Sequence, residues 1–326
     1  MARLGPAFAS CRSVPQAPAE PPRRDRAAAG EAWVAHMRRG EFEQAWTISD
    51  ALLRDRAWLK RRDVLRCEQS VWDGTPIDGR RVLVRCYRGL GDALQFIRYA
   101  PLIRARAARL IVWAQPALLP VLAGVDGIDE LQPVHDGDID VDYDVDVEVM
   151  ELPYVFRTSL ETIPADVPYL HVDRAALPAS DRAKVGLVWR AGDWTPHRSI
   201  PFALLAPLLR FPIAWYVLQS EPGLSERPDG FGIVAGSDDI LELAQVIGSL
   251  DLVITIDSMT AHLAGALGTP AWTMLPARAD WRWLEGRNDT PWYPSMRLFR
   301  QEQRGEWEGV VERVAEELSR VTREKG

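Results

Sequence analysis

Three short stretches combine residue types that could carry chemistry. The first, Arg88-Gly89-Leu90-Gly91-Asp92, follows an apolar run and leads into a helical pattern. Glycines at 89 and 91 let the backbone turn tightly and leave room for a ligand, and Asp92 falls where a strand ends and a helix begins. Open α/β sheets bind their ligands at such points. The stretch is not the dinucleotide fingerprint, because Leu94 stands where GxGxxG requires its third glycine. The competing role for Asp92 is a plain helix N-cap.

The second stretch, ITIDSMTAHLAGALGTPAW, runs from an apolar strand ending at Asp257 into Ser258, Met259 and Thr260. These residues open a helix whose N–H groups and dipole favour an anion, and we read a phosphate site there. His262 falls in the first turn, near that phosphate. Ala261, Ala264, Gly265, Ala266 and Gly268 keep the helix slim against its sheet. The alternative is that Ser258 or Thr260 merely caps the helix and His262 packs. The third stretch, WRAGDWTPHRSIPF, places Arg190 and Arg198 in a loop ahead of a helix, and a loop arginine can clamp a diphosphate bidentately or stand solvated.

Two further stretches invite chemistry with less support. In DGDIDVDYDVDVEV the spacing of Asp138, Asp140 and Asp142 is that of a calcium loop, but Tyr143 occupies the required glycine and Val149 the bidentate glutamate. A strand with one solvated acidic face explains the alternation better. The tryptophans of PARADWRWLEGRNDTPWYPSMRLFR could wall a cleft or stack on a base, with core packing as the ordinary role.

The elements that position these stretches alternate between β and α. RRVLVRCY, ALQFIRYAPLIRARAA and RLIVWAQ form one βαβ unit, with ALQFIRYAPLIRARAA as one amphipathic helix. From Lys184, KVGLVW, IPFALLAPLLR, IAWYVLQ, DDILELAQVIGSL, DLVITID, TAHLAGALG and PAWTML form a second parallel series covered by helices on both faces. ETIPADVPYLHVDRAALPASDR lies between them as a linker, and a charged amphipathic helix closes the chain. We therefore expect an α/β protein in four segments: a disordered leader (1–27), a helical segment (28–71), a first Rossmann-like domain (72–180) and a second (181–326). In the helical segment, Gly40 ends one helix and an acidic turn starts the next, as in a tetratricopeptide hairpin. A single such pair cannot bury its apolar faces alone.

Composition narrows the functions. The chain of 326 residues has a net charge of −7 and a pI near 5.4, which leaves no basic excess for nucleic acid. Cys11, Cys67 and Cys86 are too scattered for a zinc site, and reduced cytosolic thiols are expected. No 18-residue apolar run predicts a membrane span. The Pro-, Ala- and Arg-rich start lacks the apolar core of a signal peptide, so it reads as a disordered leader or an early start codon, with a transit peptide as the minor alternative.

Together, YRGLGDALQFIRYAPLI, KVGLVWRAGDWTPHRSIPFALLAPLL, DLVITIDSMTAHLAGALGTPAW and DWRWLEGRNDTPWYPSMRLFRQ resemble the glycosyltransferase domain that follows tetratricopeptide repeats in bacterial proteins. That domain is related to glycosyltransferase family 9, the heptosyltransferases. The resemblance covers the chain from about Trp72 onward. It implies a GT-B fold and metal-independent, inverting transfer from a nucleotide-sugar donor to a lipopolysaccharide, glycan or protein acceptor. It also implies a cytoplasmic location, free or peripheral to the inner membrane. Carried over by position, Asp92 would be the acceptor base, in the acceptor-side loop with Gly89 and Gly91. Asp257, Ser258, Met259, Thr260 and His262 would form the donor block, and Arg198 would contact donor phosphate. Two features depart from the pattern: Met259 where a small residue is usual, and a short 190–198 loop containing Trp194. The rival expectation is a non-catalytic module of the same fold that docks a partner protein. A metal-dependent transferase using the aspartates from Asp138 to Asp144 is a third.

Overall fold

The structure is a computed structural model that describes residues 23–54, 72, 74–135, 140–192 and 195–324. Residues 1–22 of the expected leader, all of 55–71, Asp138 and Trp194 lie outside the described residues.

A helical hairpin comes first, α1 (Arg23–Arg39) and α2 (Phe42–Arg54). Gly40 adopts φ +75°, and the Gly40 and Glu41 N–H groups donate to the Met37 and His36 carbonyls, the pattern that closes a helix on a left-handed glycine.

The first α/β domain contains β1 (Arg81–Cys86), α3 (Leu90–Phe96), α4 (Ala100–Arg104), β2 (Arg109–Ala114), α5 (Leu119–Leu122), β3 (Glu130–Pro133), β4 (Val145–Glu148) and α6 (Leu152–Val155). Its sheet is parallel, in the order β3-β2-β1-β4. The second contains β5 (Lys184–Leu187), α7 (Ala206–Leu209), β6 (Ala214–Val217), β7 (Ile233–Val234), α8 (Ile240–Ile247), β8 (Leu252–Ile256), α9 (Met259–Ala266), β9 (Ala271–Leu275), β10 (Met296–Arg300) and α10 (Glu308–Glu324). Its six strands are parallel, in the order β10-β9-β8-β5-β6-β7. Every residue of β8 and β9 is buried, as helices on both faces of a parallel sheet require.

Several expectations change. ALQFIRYAPLIRARAA is not one helix: α3 gives way to a 3-10 turn at Ile97–Tyr99 before α4 begins with Pro101 in its first turn. A proline has no N–H for the preceding turn but fits the start of a new one. Pro207 divides IPFALLAPLLR in the same way, into a 3-10 turn and α7. Among its described residues the acidic stretch forms a strand only at β4, where Asp146 and Glu148 are covered and ion-paired, while Asp140, Asp142 and Asp144 ahead of it are exposed. Asp146 lies 2.9 Å from Arg85 and Glu148 2.5 Å from Arg88, while Arg81 reaches Asp142 at 3.4 Å and Asp144 at 3.0 Å. Opposite charges on neighbouring strands β1 and β4 account for the pattern.

The hairpin spans both domains. Trp46 Nε1 donates to the Thr158 carbonyl at 2.8 Å, and Asp50 accepts from Tyr154 and Arg157 of the first domain. On the other side Trp33 meets Trp281 edge-on, and Phe42 lies beside Trp292. The segment read as a linker is laid along the second domain, with Tyr169 N–H donating to the Ala266 carbonyl and Ala175 N–H to that of Gln245. Between the domains Arg98, 4% exposed, donates to the carbonyls of Trp292 and Pro164 and to the Tyr169 hydroxyl, among the rings of Tyr169, Trp292 and Tyr293.

Candidate functional site

Strands β1 and β8 end on opposite sides of one cleft of about 880 Å³. Gly89, Gly91 and Asp92 line it from the first domain, and Arg198, Asp257, Ser258, Met259, Thr260 and His262 from the second. The fold thus brings into one space residues as much as 173 positions apart, from Gly89 to His262.

Asp92 is the third residue of α3, whose N-cap is Gly89, so it is not the cap. The two glycines differ from the expectation of ligand room. A Cβ on Gly89 would stand 2.7 Å from Asp92 Oδ2, and one on Gly91 would stand 2.9 Å from His262 Cδ2 and 3.6 Å from the Met259 Cα. Their missing side chains make space for the Asp92 carboxylate and for the first turn of α9. Gly265 does the same deeper in, where a Cβ would meet the Tyr293 ring at 2.3 Å.

Ser258 is the N-cap residue of α9, yet its side chain makes no capping bond; its Oγ lies 3.3 Å from Thr255 Oγ1. The first N–H groups of a helix have no partner within it, so this end of α9 presents donors and positive dipole to the cleft. Arg198 sits on the 3-10 turn Pro196–Arg198, with Nη1 3.3 Å from Asp257 Oδ2, and its side chain keeps 26% exposure. Arg190 also lines the cleft, but its guanidinium is paired with Glu226.

Burial raises the Asp257 carboxyl above the usual carboxylate range, with Arg198 pulling the other way. His262 is pushed down to about 3, by burial first and by the Arg282 charge second. Its imidazole is therefore neutral at physiological pH. The ring stacks on Trp283, centroids 5.2 Å apart, and Nδ1 lies 3.0 Å from the Tyr293 hydroxyl.

The sequence reading missed Asp280 and Arg282. Arg282, 7% exposed, bridges the two domains: Nη2 lies 2.6 Å from Asp92 Oδ1 and Nη1 2.8 Å from Asp280 Oδ1. Burial would raise the Asp280 carboxyl, but Arg282 outweighs it and holds the group below its usual range. Both residues lie in the loop beyond the carboxyl end of β9, the position from which open α/β sheets serve their ligands. That rule is the signal in the sequence that points to them. The neighbouring tryptophan rings pack instead: Trp283 and Trp292 are about fully buried, and Trp281 is 8% exposed. Gln219, Ser220, Ser237 and Asp238 line the cleft beyond β6 and before α8, and were likewise not singled out.

Two solved structures superpose over most of the chain. One is a family 9 glycosyl transferase from Veillonella parvula, with a TM-score of 0.53 at 16% identity, covering 70% of this chain and 87% of the other. The second is the E. coli ADP-heptose LPS heptosyltransferase II, with a TM-score of 0.53 at 14% identity, covering 76% of this chain and 100% of the other. The fold is that of the family 9 glycosyltransferases. Its two Rossmann-like domains face one cleft, with the helical hairpin ahead of them. In sequence, the chain is 28% identical over 295 residues to protein FlbA of Caulobacter vibrioides, an alignment covering 76% of this chain and 48% of FlbA. The chain thus spans about half the length of that relative. No family model matches the sequence.

Proposed function

We propose that this chain is a glycosyltransferase that moves a sugar from a nucleoside-diphosphate sugar to a hydroxyl acceptor with inversion. The observation carrying the reading is one cleft in which Asp92 faces the uncapped start of α9 and Arg198. Asp92 takes the acceptor proton as the acceptor oxygen attacks the anomeric carbon and the bond to the diphosphate breaks. Negative charge develops on the departing diphosphate. The α9 N–H groups and Arg198 stabilise it, and neutral His262 contributes packing or a hydrogen bond rather than charge. In this reading the protein's own cations serve the leaving group in place of a metal, so activity persists in a chelator. An ADP- or UDP-linked sugar is the donor class, and the acceptor is a lipopolysaccharide core, a glycan or a protein. The heptosyltransferase neighbour names an ADP-heptose chemistry for itself, which makes ADP the first nucleotide to try.

The test is a melting-temperature titration with ADP, UDP, GDP and CDP, because a ligand bound only by the folded state raises the midpoint. A rise with one nucleotide that is lost in Arg198→Ala supports the donor site. No rise with any of them from folded protein rejects it. The second reading, a non-catalytic module, has one observation in its favour: the Asp92 carboxylate is already held by Arg282. It predicts no nucleotide effect at all.

A further inference from the structure

The turn that carries Arg282 is gripped from outside the two α/β domains. Trp33 of α1 packs edge-on against Trp281, with centroids 5.6 Å apart at 81°. Trp281 in turn stacks on Phe96 of α3, and the Arg282 guanidinium lies over both rings, 4.9 Å from Trp281 and 5.4 Å from Phe96. At the other end of the turn the Glu285 N–H donates to the Arg38 carbonyl at the end of α1, at 2.7 Å. The residue between, Leu284, has φ 55° and ψ 177°, a conformation that a leucine adopts only where its surroundings over-determine it. Hairpin contacts therefore flank a strained turn, and the side chain in its middle is the arginine that holds Asp92.

We propose that the helical hairpin is a positioning element of the cleft: Trp33 and the Arg38 carbonyl fix the 281–285 turn, and the turn fixes Arg282 on the Asp92 carboxylate. Arg282 is the positioning residue and Trp33 its brace. Displacing the hairpin lets Leu284 relax and moves the guanidinium off Asp92. A protein that binds the hairpin could thereby tune the site without entering it. The functional part of this inference rests on the reading of Asp92 as acceptor base; the geometric part does not.

A double-mutant cycle of Asp92→Ala and Arg282→Met, read as non-additive shifts in the melting midpoint, measures the pair directly. The same cycle is run in the wild-type, Trp33→Ala and Trp33→Phe backgrounds. We expect the non-additivity to fall by more than half in Trp33→Ala and to survive in Trp33→Phe, which keeps an aromatic edge on Trp281. Equal non-additivity in all three backgrounds overturns the proposal. If Arg282→Met does not fold, amide exchange at Leu284 and Glu285 in Trp33→Ala decides the matter: at least a tenfold acceleration is expected, and unchanged exchange overturns it. ADP titration of the wild-type and Trp33→Ala chains separates this inference from the reading it serves. Coupling that depends on Trp33 in a chain that no nucleotide stabilises keeps the brace and discards the transferase.

Discussion

Asp92 and His262 are the two side chains whose behaviour distinguishes a working site from a relic. Asp92→Asn keeps the shape and the bond to Arg282 while removing the proposed base. Transfer should fall by about 10²- to 10⁴-fold, the usual contribution of a general base, with the nucleotide-induced rise in melting temperature intact. Undiminished turnover would take Asp92 out of the mechanism. His262 makes a prediction about stability instead. Its pKa falls from 6.5 in the unfolded chain to about 3 in the fold, so between these values the folded state binds fewer protons. That contribution is complete above about pH 6.5 and is lost as pH drops toward about 3, at roughly 1.4 kcal/mol per unit. Asp257, whose carboxyl is raised, acts in the opposite sense. The difference between wild type and His262→Gln in urea unfolding across this range isolates the histidine, and a constant difference would refute its buried neutral state.

At the level of elements, the cleft exists because α3 and α9 approach closely at their first turns. Gly91 is where they meet, and its replacement tests how tight the approach is. Alanine in a helix gains about 1 kcal/mol over glycine by propensity, whereas forcing a methyl into a packed contact costs about 1–3 kcal/mol. With the new Cβ 2.9 Å from His262 Cδ2 and the Met259 backbone close behind, overpacking wins. Gly91→Ala should lower the denaturation midpoint and weaken any nucleotide effect together. A stabilised variant would mean that α3 and α9 can part at little cost. The 281–285 turn is the other decisive element, since it delivers Arg282 across the interface.

Across the whole molecule, Arg98 is a strut between the domains. Its charge is buried among aromatic rings and satisfied by carbonyls and the Tyr169 hydroxyl. Arg98→Ala leaves those acceptors without their donor and opens a cavity, at a cost of about 3 kcal/mol or more. Calorimetry should show one transition in the wild type split into two in the variant, as the domains lose their common restraint. A single transition shifted downward would assign Arg98 to one domain's stability alone. Among the described residues no helix is long and apolar enough to cross a membrane.

That Asp92, Arg198 and the Asp257–His262 block lie on a common edge was legible in the sequence because each comes after a β-run, and the carboxyl ends of parallel strands converge on one cleft. The strand–helix alternation was legible for the same local reason: periodicity is a property of neighbouring residues. What only the tertiary structure decided were contacts between distant segments. The Arg282–Asp92 pair spans 190 residues, the Trp33–Trp281 contact longer still, and no local pattern encodes either. Gly89 and Gly91 show the boundary between the two. The sequence marked them as places without side chains, and the packing of α3 against α9 settled that the space belongs to Asp92 and His262.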